Sequence, residues 1–240
     1  QARAGGRPLM TMTIAQVFDV VRAVKRPLCV FDIDSTLMNT GSRSHRILRE
    51  AAQEAFPELA PFADKLCSCN MAYHLTDDLR RLGFDNEKEL AAVDRFWATR
   101  FFTDAYVLHD LPYPGAVDYV RDLHREGVFI YYLSGRDEPN MGRGTRESLV
   151  KHGFPLDDRT TMHLKPDFAM NDLRFKRDAF ADIQAMGYTT VAIFENEPAN
   201  ANAFKEHFPD AAVFLIRTIT SNNPAPLRTD VLPFDSFEDR

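Results

Sequence analysis

Two carboxylates, Asp32 and Asp34, stand one residue apart, with Ser35 and Thr36 directly after them. They close a short apolar run that starts at Leu28 and is bounded on its left by Pro27. A run of this length and character reads as a buried strand. Carboxylates at the C-terminal end of such a strand lie where an open α/β sheet holds its ligands. Two like charges this close repel unless a cation or a shared proton sits between them. Aspartate is a weak nucleophile, yet aspartyl phosphates are established covalent intermediates. In that chemistry one carboxylate attacks the electrophile and its neighbour moves a proton. A cation must screen carboxylate from phosphate, and Mg²⁺ suits the task with one or two carboxylates, phosphate oxygens and waters. Without function, the same residues are an acidic turn in which Asp34 or Ser35 caps a helix.

Further along, Ser134-Gly135-Arg136 follows the apolar run Val128–Leu133, and Glu195-Asn196 follows Thr189–Phe194. Between them Lys176 stands early in a helical pattern. The Ser134 hydroxyl, with backbone N–H groups freed by Gly135, can hold a phosphate oxygen. In isolation the pair is a Ser-Gly turn. A lysine near a helix N-terminus adds to a positive field that favours phosphate. Lys165, at the end of Thr160–Leu164, competes with Lys176 for that part. Glu195, Asn196 and Asn200 all offer hard oxygen atoms to a metal.

Asp32-Ile33-Asp34-Ser35-Thr36, then Ser134, then Lys176, then Glu195-Asn196, in that order, resemble the haloacid dehalogenase superfamily from Leu28 to Arg217. Most members of that superfamily are Mg²⁺-dependent phosphatases. The resemblance implies that Asp32 attacks phosphorus and ligates Mg²⁺. It implies that Asp34 is general acid and then base, a double role that suits a carboxyl of raised pKa, and that its main-chain carbonyl reaches the metal. Ser134, Gly135 and Lys176 would hold the phosphate, and Lys176 would keep the nucleophile ionised. The dehalogenases of the family lack the second acid, so Asp34 favours phosphoryl transfer over carbon–halogen cleavage. The fourth motif departs from the usual aspartate, and the expected metal set is Asp32, Asp34, Glu195 and Asn196, with Glu195 preferred over Asn196. A phosphotransferase or phosphomutase with the same covalent step is the alternative enzyme. A catalytically silent binding or regulatory domain is the alternative outside catalysis, resting on the altered fourth motif.

These residues need a scaffold. Thr13–Lys25 carries apolar residues at helical spacing, with Thr13 as N-cap. From Leu111 helical stretches alternate with strands at Val128–Leu133, Thr160–Leu164, Thr189–Phe194 and Ala212–Ile216. Such alternation predicts a doubly wound, Rossmann-like parallel sheet of the α/β class. The superfamily's strand order, 3-2-1-4-5, would bring the ends of the first, second and fourth strands to one crevice. Residues 40–110 differ: three helical stretches and no strand pattern, too long for a simple crossover. They predict a helical cap inserted into a core of residues 9–39 and 111–240, which the resemblance identifies as a C1-type cap. Arg43, His45, Arg46, Asn70, Tyr73, His74 and Trp97 are its cleft-suited side chains, with no motif to single one out. The tail from Thr218 reads as a loop.

The 240 residues are 45% hydrophobic, ample for a sizeable core, and carry a net charge of −6. That charge argues against a nucleic-acid partner, and the resemblance implies a small phosphorylated substrate. No apolar run approaches a membrane span. No h-region follows Gln1–Pro8, so that stretch reads as a tail and not as a secretory signal. Cys29, Cys67 and Cys69 are too few for a disulfide framework and read as reduced thiols of a cytoplasmic protein. Cys67-Ser68-Cys69 has no His/Cys pair at zinc-ligand spacing.

Overall fold

The computed structural model describes residues 12–240. The reading of Gln1–Pro8 lies outside them. Along the chain, α1 (Val17–Ala23) leads into β1 (Pro27–Phe31) and the two-residue β2 (Met38–Asn39). Five helices follow: α2 (Gly41–Glu54), α3 (Ala60–Ala63), α4 (Leu75–Arg81), α5 (Glu87–Phe101) and α6 (Asp104–Val107). Then come β3 (Leu111–Pro112), α7 (Ala116–Arg125), β4 (Phe129–Asp137), α8 (Glu138–His152), β5 (Thr160–Lys165) and α9 (Asp172–Ala185). The chain closes with β6 (Thr189–Glu195), α10 (Pro198–His207), β7 (Ala212–Ile216) and β8 (Leu232–Phe234).

Six strands form one parallel sheet in the order β5-β4-β1-β6-β7-β8. Without the last strand this is the expected 3-2-1-4-5. β1 is buried along its whole length because the sheet is covered on both faces. Its alternate side chains point opposite ways. Cys29 and Phe31 pack with Val17, Tyr119 and Leu123 under α1 and α7; Leu28 and Val30 pack with Phe175, Ile183 and Phe204 under α9 and α10. Phe31 pairs in register with Phe194 on β6, and their rings stack at 4.6 Å. Each fully buried phenylalanine is worth about 1.5–3 kcal/mol. That packed pair fixes the register, and the register sets the next residue on each strand, Asp32 and Glu195, side by side.

The helices from α2 to α6 bury a cluster of their own, including Ile47, Leu79, Val93 and Trp97, with no member from the sheet's two clusters. The short antiparallel pair β2–β3 joins the segments entering and leaving this helical stretch. It escaped the sequence reading because two residues give no alternation to detect.

Three other elements differ from expectation. α8 begins at Glu138, not near Thr145: Pro139 sits in its first turn, where a missing N–H costs nothing, and the Asp137 side chain caps Asn140. Gly144 lies inside that helix because the Asp104 backbone rests against it, where a Cβ would collide, and its N–H donates to Asp104 Oδ1 at 2.6 Å. The tail is not all loop, since Leu232–Phe234 adds β8 to the sheet edge and buries Phe234. Cys67 and Cys69 are joined in a disulfide, in place of the expected free thiols; the turn at Cys67–Asn70 brings their Cα atoms to 5.2 Å. Cys29 is free and buried. Among the described residues no helix is long and apolar enough to cross a membrane.

Candidate active site

The ends of β1, β4 and β6 meet at a cavity of about 700 Å³, whose far wall is built by the residues just before α4, by α5 and by the loop after β5. Asp32 follows Phe31 directly, and its N–H donates to Phe194 O at 3.0 Å, so the β1–β6 ladder holds its backbone. The next turn carries Ser35 at φ +58°, a left-handed conformation that costs a serine energy. Such strain persists where the surroundings enforce it, often at functional sites.

Each aspartate has its own partners. Lys176 Nζ donates to Asp32 Oδ1 at 2.6 Å, and Thr36 Oγ1 donates to Asp32 Oδ2 at 2.9 Å. Lys176 also donates to Glu195 Oε1. Asp34 Oδ1 takes Arg136 Nε at 2.9 Å and Nη2 at 2.5 Å, with Arg43 Nη2 farther off at 3.4 Å. Asp110, wholly buried, binds both arginines at 2.6 Å. Asp34 Oδ2 has no hydrogen-bond partner among the described residues, and Asp34 lines the cavity.

Burial pushes the Asp32 carboxyl up to about 7; Lys176 opposes the rise and Glu195 adds to it. Burial also works against the charged form of Asp34, but the Arg136 and then the Arg43 guanidinium outweigh it and hold that carboxyl below its ordinary value. The raised pKa thus falls on Asp32, where the sequence reading expected it on Asp34. The reason is the pair of guanidinium groups, Arg136 first and then Arg43, and the approach of Arg43 from the helical segment is announced by no local pattern. Burial works against the Lys176 ammonium, yet Asp32 and Glu195 hold its pKa above the ordinary lysine value.

Of the expected site residues, Asp32, Asp34, Gly135, Lys176 and Asn196 line the cavity, as does Asn200. Ser134 and Glu195 do not; both are wholly buried behind the wall. The Ser134 hydroxyl accepts the Arg136 N–H at 3.3 Å. Both Glu195 oxygens are engaged: Oε1 takes Lys176 and Asn200 Nδ2, and Oε2 takes the Asn196 and Glu197 N–H groups at 2.9 Å each. Glu195 therefore organises the start of α10 and positions Lys176. Lys165 is also occupied, donating to Asp172 at 2.7 Å and to the Phe168 and Met170 carbonyls. It braces the loop after β5, which leaves Lys176 as the lysine at the aspartates. Gly135 lets the Asp172 carboxylate pack close, since a Cβ there would lie 2.7 Å from its nearer oxygen and push it aside.

The donor set for a cation is narrower than expected. Asp32 Oδ2 and Asn196 Oδ1 lie 2.9 and 3.3 Å from the same hydroxyl, Thr36 Oγ1. Asn196 is oriented so by its Nδ2, which donates to Ile219 O at 2.7 Å. Two hard oxygens converge there, which suits Mg²⁺. Glu195 offers no free oxygen to it. Among the described residues no group of three His, Cys, Asp or Glu side chains is gathered as a metal cage. The sequence reading gave no site role to Thr36 or Asp110, and it named Arg43 only among the cleft-suited side chains of the helical segment. Thr36 was quoted without a role, and Asp110 carried no signal beyond its place before β3.

A doubly wound parallel sheet with paired aspartates at its switch point defines the Rossmann-like α/β class and puts a ligand site at those strand ends. The family model for haloacid dehalogenase-like hydrolases matches residues 27–167. The chain belongs to that family. Among solved structures, it is similar to one described as a predicted phosphoglycolate phosphatase from Haemophilus somnus, at a TM-score of 0.55 and 14% identity, covering 90% of this chain and 96% of that one. It is similar to the Mycobacterium tuberculosis Protein Tyrosine Kinase A, at 0.54 and 15%, covering 90% and 97%. A putative phosphatase from Clostridium difficile gives 0.53 and 10%, covering 84% and 90%. At such identities the likeness is one of fold, and fold alone does not set the reaction. No curated relative matches the chain.

Proposed function

We propose that the chain is a Mg²⁺-dependent phosphatase that hydrolyses a small phosphomonoester through an aspartyl phosphate on Asp32. The observation that carries this reading is the Asp32 carboxylate at the cavity wall, with Lys176 on one oxygen and Thr36 on the other. A carboxylate so fixed is aimed, and its attack needs little reorganisation. One Asp32 oxygen forms a bond to phosphorus as the bond to the ester oxygen breaks. The departing alkoxide takes a proton from Asp34 through its free Oδ2. An incoming phosphate dianion is a like charge beside Asp34, and raises its pKa toward that task. In the second half, Asp34 takes a proton from water, and the resulting oxygen displaces Asp32 from phosphorus. Phosphate leaves and both carboxyls return to their first states.

Asp32, the Asp34 main-chain carbonyl and Asn196 would hold Mg²⁺. When bound, the ion screens carboxylate from phosphate and polarises a phosphate oxygen. The fit is supported by charge: Asp32, Glu195 and Lys176 together carry one more negative than positive charge. Gly135 and Lys176 contact the phosphate, with Ser134 supporting the turn from behind. Residues 40–110 form the cap over the cavity. Phosphate release from a panel of phosphomonoesters, with Mg²⁺ and with chelator, tests the reading. Release that needs Mg²⁺ and vanishes in Asp32→Asn supports it; release unaffected by either overturns it.

A further inference from the structure

The cavity extends well beyond the aspartates, and its outer part has a distinct chemistry. Among the described residues only five large hydrophobic side chains are exposed, and two of them, Tyr73 at 45% and Phe168 at 50%, line this one cavity. They come from different segments: Tyr73 stands just before α4 in the helical segment, and Phe168 lies in the loop after β5. Neither is loosely held. The Phe168 ring meets Phe102 edge to face at 4.9 Å, and the Lys165 ammonium fixes its carbonyl at 3.2 Å. Tyr73 sits edge to face on His74 at 4.8 Å, and His74 leans in turn on Trp97. Half-exposed rings on a braced wall leave apolar area in water, which an incoming ring would cover, and ring pairs gain beyond burial alone.

The charges of the same wall narrow the ligand further. The cations lining the cavity, Arg136, Lys165 and Lys176, are each already in ion pairs. Asp94 also lines it and has no ion-pair partner among the described residues. A substrate with a second anionic group would meet carboxylates there and no free cation. Resting on the phosphatase reading above, we propose that the substrate's alcohol bears an uncharged planar ring, of the nucleoside or pyridine class, seated against Tyr73 and Phe168.

The matched pair AMP and ribose 5-phosphate tests this, since the two share the phosphorylated carbon and differ by the base. Pyridoxine 5′-phosphate supplies the pyridine arm and 2-phosphoglycolate the acidic one. The expected result is a kcat/KM for AMP or pyridoxine 5′-phosphate at least tenfold above that for ribose 5-phosphate, with 2-phosphoglycolate lowest. Phe168→Ala should cut the ratio of ring ester to ribose 5-phosphate at least fivefold, and Tyr73→Ala should cut it in the same direction. Ribose 5-phosphate hydrolysed as well as both ring esters overturns the ring subsite and leaves the phosphatase reading standing. Release from none of the esters overturns the phosphatase reading instead. The subsite is then read by fluorescence of Trp97, the chain's single tryptophan, on the same wall. Saturable quenching by adenosine or pyridoxine, weakened in Phe168→Ala, supports the subsite; no quenching by either overturns it.

Discussion

The two aspartates of the motif sit in two buried ion clusters of different balance. Around Asp32, one cation, Lys176, faces two anions, Asp32 and Glu195. Around Asp34, two cations, Arg43 and Arg136, face two anions, Asp34 and Asp110. The first cluster is one positive charge short, and burial lifts the Asp32 pKa to about 7. The second is complete, and Asp34 is held low. Residues two apart in sequence thus differ in kind because of what the sheet and the helical segment bring to each. A deficit calls for a proton or a metal ion; the complete cluster is balanced until a substrate phosphate adds a negative charge beside Asp34.

The hardest blow to that contrast is Asp32→Asn. The amide cannot attack phosphorus, and turnover should fall on the order of 10⁴-fold or more. The fold should survive, because Lys176 and Glu195 then balance. The same variant reads the deficit directly in chelator. The folded pKa of Asp32 lies above its unfolded value, so its contribution to stability is present at low pH and lost as pH rises toward 7. The melting temperature of the metal-free protein should fall over that range, and Asp32→Asn should flatten the fall. Parallel melting curves would mean that Asp32 is charged throughout.

Asp110→Asn attacks the complete cluster. It leaves two buried arginines with Asp34 alone, and breaking a buried pair costs about 3–5 kcal/mol. Chemical denaturation measures the loss; a change under about 1 kcal/mol would mean that the cluster contributes little. Asn196→Asp sharpens the contrast from the other side. An added carboxylate beside Asp32 deepens the deficit, and the Mg²⁺ concentration for half-maximal activity should drop about tenfold. An unchanged concentration would put the metal elsewhere. Thr36→Val should have the smallest effect. It removes one hydroxyl from Asp32 Oδ2 and Asn196 Oδ1. A net hydrogen bond of about 1 kcal/mol predicts a rise of a few fold in that same Mg²⁺ concentration.

Much of the deficit cluster was legible in the sequence. Asp32, Lys176 and Glu195 each end a strand or open a helix whose apolar pattern is local, and strand order does the rest. The role of Glu195 was not legible. Whether its carboxylate points at a metal or folds back onto two backbone amides depends on the turn that follows. The complete cluster's members were partly named, but their pairing could not be read. Arg43 and Asp110 are 67 residues apart and meet only because the helical segment returns to its starting point. The start of α8 was missed since Pro139 and two glycines look like breakers until the first-turn position and the Asp104 contact are known. Tyr73 was one of several cleft-suited side chains and Phe168 an ordinary aromatic in sequence, and only the folded cavity brings them together.

The Arg43–Asp110 pair has a bearing on grafting. Arg43 lies in the first turn of α2 and Asp110 just before β3, so their bond staples the way into the helical segment to the way out. A transplanted segment cut at residues 40 and 110 would carry both partners away and leave Arg136 facing whatever the donor supplies. Cuts placed inside the staple, between residues 44 and 109, would keep the junction native and exchange only the wall that faces the ligand. The seam for swapping specificity between relatives therefore lies a few residues inside the boundary that the helix pattern suggests.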